Sequence, residues 1–166
     1  VFAQLLHEHP DAEYWLVGDG HDRAWLERLA DELGISHRVR FWGSLSRQEA
    51  LARLAECDML VHPSLRDSGG MVCAEAMAAG RPVMCLDLAG PAMQVTPETG
   101  VKIAASTPEQ AVADMAAAML SIARDRDRLA RMGEAARQRV AHEFLWTAKG
   151  NAIDELYTRI LNKTVK

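Results

Sequence analysis

Short apolar runs alternate with amphipathic segments through the first half of the chain. The runs span residues 13–17, 39–43, 58–62 and 82–86, and segments with helical spacing of apolar residues lie between them at 22–33, 46–56 and 70–79. Strands that alternate with helices are joined by right-handed crossovers, so they form a parallel sheet covered by helices. Ser46 with Glu49 three residues later is a capping-box pattern that predicts a helix start at 46. The continuous apolarity of 82–86 predicts a strand that is buried on both faces. This pattern constrains the chain to an α/β fold.

The second half of the chain is predicted to be mainly helical. Short extended pieces are expected at 94–95 and 101–103, around a turn at 96–100. Helices are predicted at 108–123, where Pro108 suits the first helical position, and at about 125–143 and 146–161. The whole predicts one three-layer, Rossmann-like α/β domain over residues 1–166, with C-terminal helices.

Composition excludes several classes of function. The formal net charge of −4 gives the chain no general attraction for nucleic acid or for an anionic membrane. No apolar run approaches the roughly 20 residues that a spanning helix needs. The three cysteines lack metal-ligand spacing and are interpreted as reduced core residues of a cytosolic protein.

The opening Val1 and the helical pattern directly after it predict a piece of a longer protein.

The run HPSLRDSGGMVCAEAMAAGRP, residues 62–82, is the candidate site. A turn with a carboxylate and two glycines leads directly into a short helix, which would leave the backbone N–H groups of Gly70, Met71 and Val72 free to bind an anion. Glu75 follows about one turn later and could accept hydrogen bonds from a vicinal diol such as a ribose. The arrangement fits a nucleotide better than a bare phosphate. A glycosidase-type pair of Asp67 and Glu75 is the weaker interpretation, because a helix N-terminus favours anions.

Six landmarks in order now suggest a family. The segments are WLVGDG, LADELGI, VRFWG, CDMLVHPS, DSGGMVCAEAMAAGRPV and the terminal RMGEAARQRV with EFLW. Together they resemble the C-terminal, donor-binding domain of GT-B glycosyltransferases of the retaining group that shares an E-x7-E motif. The resemblance covers nearly the whole chain.

The resemblance implies roles for particular residues. Asp67 and Glu75 match the two glutamates of the motif, so they are the implied catalytic residues: Asp67 would face the donor sugar and Glu75 would hold the ribose hydroxyls. The usual Glu-Gly-Phe-Gly is here Asp67-Ser68-Gly69-Gly70, which leaves the donor sugar open. The implied donor-binding residues are Gly69, Gly70, Met71, Val72 and Glu75, with Phe41 and Trp42 beside the nucleobase and Gly18 and Gly20 bordering the cleft.

The resemblance also implies the reaction and the partners. A hexosyl group would pass from a nucleotide diphosphate sugar to an acceptor hydroxyl with retention, and neither a metal nor a further cofactor is required. The acceptor-binding N-terminal domain and the family's diphosphate-binding Arg and Lys would lie outside the chain, so the fragment alone is expected to be inactive. A cytoplasmic location is expected, with peripheral contact to the membrane's inner face compatible with it. The alternatives are a nucleotide-binding module without transfer activity, and a GT-B epimerase or phosphorylase.

Overall fold

A computed structural model describes residues 1–164. Its helices and strands alternate as the apolar pattern predicts, with a 3₁₀ turn at Ser36–Arg38 before the second strand. The strands are β1 (Tyr14–Val17), β2 (Val39–Gly43), β3 (Leu60–His62), β4 (Val83–Leu86) and β5 (Gly100–Ile103). The helices are α1 (Phe2–Glu8), α2 (Arg23–Glu32), α3 (Arg47–Glu56), α4 (Met71–Ala78), α5 (Ala89–Gln94), α6 (Pro108–Ala123), α7 (Arg126–Glu143) and α8 (Trp146–Thr164).

The strands are all parallel, but they form two hydrogen-bonded groups instead of one continuous sheet. In the first group β1 pairs with β2, and in the second β4 lies between β3 and β5. The sequence predicts the parallel direction, because each strand is followed by a helix. It does not predict which strands are neighbours, because apolar runs carry no pairing information. The α/β class and its parallel strands are confirmed.

One local prediction is wrong. Residues 94–95 were expected to be extended, yet Gln94 is the last residue of α5. The Gly90-Pro91 pair resembles a helix breaker, but Pro91 lies in the first turn of α5, where a backbone N–H has no helical acceptor to lose. Proline is therefore tolerated there, and the six-residue helix forms.

Strand β4 is the centre of the core, and both of its faces are buried as predicted. Met84 and Leu86 pack in an apolar cluster with residues of α1 and α6. Val83 and Cys85 point to the other face and join a second cluster with residues of α4 and α7. Alternate residues of a strand face opposite sides of a sheet, so β4 separates two helical layers. Helix α4 is thereby held against the sheet through Cys73, Ala76 and Met77, which are fully buried.

Helix α7 approaches the turn after α4 so closely that only glycine fits. A Cβ at Gly133 would lie 2.3 Å from the carbonyl oxygen of Gly80. That atom is backbone and cannot move aside. We therefore predict that Gly133→Ala lowers the free energy of unfolding by about 1–3 kcal/mol, although alanine favours helix more than glycine does. Urea titration followed by circular dichroism measures this change.

The matched control is Gly150→Ala in α8. A Cβ at Gly150 would meet no atom within 4 Å. Helix propensity alone favours alanine there by about 0.5–1 kcal/mol, so this variant should not lose stability. Equal losses in both variants would show that α7 does not pack against Gly80 as described.

Candidate functional site

The candidate site lies where the parallel strands end. The loop from Pro63 to Gly70 connects the carboxyl end of β3 to the start of α4. Residues 18–20 follow β1 in the same way, and residues 44–46 follow β2. Ligands of open α/β folds bind outside the carboxyl ends of the strands, because the loops and helix N-termini converge there. The fold thus places the sequence-predicted loop at the edge where a ligand is expected.

Asp67 holds the β3–α4 loop together from inside. Its Oδ1 accepts hydrogen bonds from the backbone N–H groups of Gly69 (3.1 Å) and Gly70 (2.7 Å). Its Oδ2 lies 2.9 Å from Nε2 of His62, at the end of β3. The Gly70 amide is the main cause of a lowered pKa for Asp67, and His62 contributes in the same direction. The carboxylate is therefore ionised at neutral pH, and it fixes the turn through Oδ1 while Oδ2 contacts His62.

Helix α5 holds the same loop from outside. Nε2 of Gln94 donates a hydrogen bond to the carbonyl oxygen of Gly69 at 2.6 Å. The N–H of Gly90 donates to the backbone carbonyl oxygen of Asp67 at 3.2 Å. Gly70 has a φ of 58°, and a Cβ there would lie 3.0 Å from Nε2 of Gln94. A larger residue at position 70 would be strained in both respects. Oε1 of Gln94 is buried and has no hydrogen-bond partner within the described residues.

Helix α4 begins directly after this turn. Met71 and Val72 are its first two residues, so their N–H groups have no carbonyl of the helix to bond, and no other acceptor is recorded for them within residues 1–164. Glu75 lies one turn further on and is 25% exposed. Two free amides and an accessible carboxylate therefore occupy the start of one helix.

The geometry corrects one expectation and limits another. The N–H of Gly70 is not free, since it donates to Asp67, so the free amides of the helix start are those of Met71 and Val72. Gly69 likewise donates its N–H to Asp67. Both oxygens of Asp67 have partners within the protein, so its first role is to shape the loop. A contact between Asp67 and a donor sugar stays a prediction.

The aromatic pair of β2 already has partners. Cζ of Arg23 lies 5.7 Å from the centre of the Phe41 ring, and Cζ of Arg53 lies 4.5 Å from the centre of the Trp42 ring. Trp42 also packs edge-on against Trp15. Consecutive residues of a strand face opposite sides, so Phe41 and Trp42 pack on different faces of β2. The geometry thus favours packing roles for both rings. Their contact with a nucleobase stays a prediction.

The glycines after β1 lie at the same edge. The N–H of Gly18 donates to the carbonyl oxygen of Gly43 at 2.8 Å, which ties the ends of β1 and β2 together. The N–H of Gly20 is bonded to its neighbour Asp19. A Cβ at Gly18 or Gly20 would meet no atom within 4 Å, so the space beside this turn is open. That these glycines border a donor cleft stays a prediction.

Two residues of the site were missed from the sequence. Nη2 of Arg47 lies 2.8 Å from Oε1 of Glu75, and Gln94 supports the loop as described above. Neither residue belongs to a motif, and each comes from a helix distant in sequence. The one available signal was the capping box of Ser46 and Glu49, which the sequence did predict and which fixes Arg47 as the first residue of α3.

Comparisons with known proteins identify the family of this chain. The family model described as glycosyl transferases group 1 matches residues 1–139. The chain belongs to the group 1 glycosyltransferase family. The chain is 33% identical over 158 residues to a glycogen synthase of Mycobacterium tuberculosis, covering 95% of this chain and 37% of the relative. It is 30% identical over 163 residues to a GDP-mannose-dependent monoacylated alpha-(1-6)-phosphatidylinositol monomannoside mannosyltransferase of Corynebacterium glutamicum, covering 94% and 41%.

The solved structures show the same fold. Sucrose-phosphate synthase of Thermosynechococcus elongatus matches with a TM-score of 0.76 and 26% identity, over 97% of this chain and 42% of that one. This confirms the GT-B resemblance of the group 1 glycosyltransferase chain. The chain spans about two fifths of the length of these proteins.

Other features of this glycosyltransferase chain concern metals, thiols and membranes. Within residues 1–164 no group of three His, Cys, Asp or Glu side chains could hold a metal ion, and no helix is long and apolar enough to cross a membrane. Burial raises the pKa of Cys73 to about 12 and that of Cys85 to about 11, so both thiols are protonated at neutral pH. Cys57 is half-buried, and all three cysteines are free.

The lowered pKa of Asp67 predicts how acid affects the loop. A carboxylate whose pKa is lower in the folded state stabilises the fold above its unfolded pKa, and this contribution is lost as the pH falls through the folded pKa. We expect Asp67→Asn to lower the thermal unfolding midpoint at pH 7. The difference from the unmodified protein should shrink as the pH falls from about 5 towards 3. Calorimetric scans across this range measure it.

Asp31→Asn is the control, because Asp31 is an exposed carboxylate on α2. Its midpoint should follow that of the unmodified protein at every pH. An Asp67→Asn difference that stays constant down to pH 3 would contradict the loop-fixing role of the Asp67 carboxylate.

Proposed function

We propose that this chain is the donor-binding part of a glycosyltransferase that uses a nucleotide diphosphate sugar. The observation that carries the proposal is the start of α4, where the free N–H groups of Met71 and Val72 stand one turn before the accessible carboxylate of Glu75. Helix N-termini bind phosphate through such amides, and a carboxylate binds a ribose diol as a double acceptor. One helix can thus hold both polar ends of a nucleotide diphosphate.

The same geometry supports a role in the reaction. When the bond between sugar and diphosphate breaks, negative charge develops on the leaving diphosphate. Amides already fixed at that position stabilise this charge without reorganising. The loop is held by Asp67 from inside and by Gln94 from outside, so the start of α4 has little freedom to move. We propose transfer of a hexosyl group to an acceptor hydroxyl with retention, and this stereochemistry comes from the family resemblance alone.

The chain's length relative to its relatives supports a two-part enzyme. The chain covers 37% and 41% of the two curated relatives described above. We propose that the acceptor site and further diphosphate-binding cations lie in the part of the protein that corresponds to their remaining length. The chain alone would then bind donor without transferring sugar. We place the enzyme in the cytoplasm, where nucleotide sugars are made, with contact to the membrane's inner face as its peripheral association.

A second candidate is a nucleotide-binding module without transfer activity. It is favoured by the state of Asp67, whose two oxygens are used by the loop and by His62. In such a module the nucleotide would bind as above while the sugar meets no free carboxylate. Release of nucleoside diphosphate from a nucleotide sugar by the intact protein, with or without acceptor, distinguishes the enzyme from the module.

Calorimetric titration of the intact protein with UDP and with GDP tests the donor site. We expect one of them to bind, and Glu75→Gln to weaken that binding at least about tenfold, because a hydrogen bond to an ionised acceptor is worth about 1.5–3 kcal/mol. GDP is included because the name of the mannosyltransferase relative states that it depends on GDP-mannose.

Glu32→Gln is the matched control for that titration. Glu32 is exposed at the end of α2, and its replacement makes the same change of charge as Glu75→Gln. Binding in this variant should equal that of the unmodified protein. If neither nucleotide binds, or if both glutamine variants bind equally well, Glu75 does not hold a nucleotide and the donor-site proposal fails.

A further inference from the structure

The ion pair between Arg47 and Glu75 lies at the mouth of the candidate site. Nη2 of Arg47 approaches Oε1 of Glu75 to 2.8 Å, although the Arg47 side chain is 77% exposed and the Glu75 side chain only 25%. The backbone of Arg47 is fixed, since it is the first residue of α3 and lies inside the capping box formed by Ser46 and Glu49. The guanidinium therefore reaches from the start of one helix to a carboxylate of another.

A carboxylate in an anion site creates an electrostatic conflict. The amides of Met71 and Val72 attract a diphosphate, whereas a negative charge one turn away repels it. Asp67 raises no such conflict, because two backbone N–H groups and His62 already compensate its charge. Within the described residues, the one cation recorded against Glu75 is Arg47. The pair is also compatible with binding a diol, because Arg47 contacts Oε1 and no partner of Oε2 is recorded within residues 1–164.

We infer that Arg47 is a positioning residue that neutralises Glu75, so that one helix start can hold a ribose diol and a diphosphate together. This inference rests on the proposed function and adds a residue that the motif does not contain. Because the role is electrostatic, it predicts a difference between charged and uncharged ligands. Arg47 should matter for a ligand that carries phosphate and hardly at all for the same nucleoside without phosphate.

The experiment compares these two ligands on the intact protein. Dissociation constants are measured for the nucleoside diphosphate that binds and for its parent nucleoside, uridine or guanosine, at low and high salt. For Arg47→Ala we expect the diphosphate to bind about fivefold more weakly, the size of a typical exposed charge interaction. The nucleoside should change by less than about twofold. High salt should reduce the diphosphate effect, because it screens exposed charges.

Two further variants separate charge from structure. Arg47→Lys keeps the charge and should stay within about twofold of the unmodified protein for both ligands. Arg131→Ala removes an equal charge from an exposed position on α7 and should change neither dissociation constant. The thermal midpoint of Arg47→Ala, recorded without ligand, shows whether a loss of binding reflects a loss of folding.

The outcomes separate this inference from the proposed function. The inference is wrong if Arg47→Ala weakens the binding of the diphosphate and of the nucleoside equally. It is also wrong if this variant binds the diphosphate as tightly as the unmodified protein, or more tightly. If Glu75→Gln still loses nucleotide binding in that case, the donor-site proposal remains supported. If the unmodified protein binds neither ligand, the proposed function fails and the inference fails with it.

Discussion

The hydrogen bonds from Gly69 and Gly70 to the carboxylate of Asp67 set the geometry of the whole candidate site. They close the turn after β3 and fix the point and direction in which α4 begins. Without them the amides of Met71 and Val72 would have no fixed direction, because a glycine pair is the most flexible dipeptide that a loop can contain. The flexibility that lets a ligand approach the backbone is thus removed by the Asp67 side chain, together with the hydrogen bonds from Gln94 and Gly90 of α5.

The packing beneath α4 completes this rigidity. The helix is apolar on almost every side, and its buried residues contact β4 and α7. On the sheet's opposite face, α1 and α6 cover the same strand. A helix held in this way cannot tilt to follow a ligand. Adjustment at the site is therefore left to side chains, and the exposed Arg47 is the one that reaches Glu75.

The sequence predicts what depends on local pattern and misses what depends on contacts between distant segments. The capping box at Ser46, the proline that opens α6 and the buried strand β4 are all found as predicted, since each is written in neighbouring residues. The same holds for the turn before α4. The use of Gly70's N–H by Asp67 was missed, because Asp67 was assigned to a ligand. The pairing of Arg47 with Glu75 was missed, because nothing near either residue indicates the other.

The two carboxylates of the site differ in a way that assigns them different tasks. Oδ1 of Asp67 accepts from two backbone amides, which belong to the loop and cannot leave without opening it, and Oδ2 contacts the His62 side chain. The charge of Glu75 is met by the end of a long, exposed arginine side chain, which contacts Oε1 of the carboxylate. Glu75 can therefore keep Arg47 on one oxygen and accept hydroxyl groups at the other, whereas Asp67 must keep its bonds to the loop amides. Glu75 is therefore the acid that we propose for binding the ribose, and Asp67 is the acid that shapes the loop beside it.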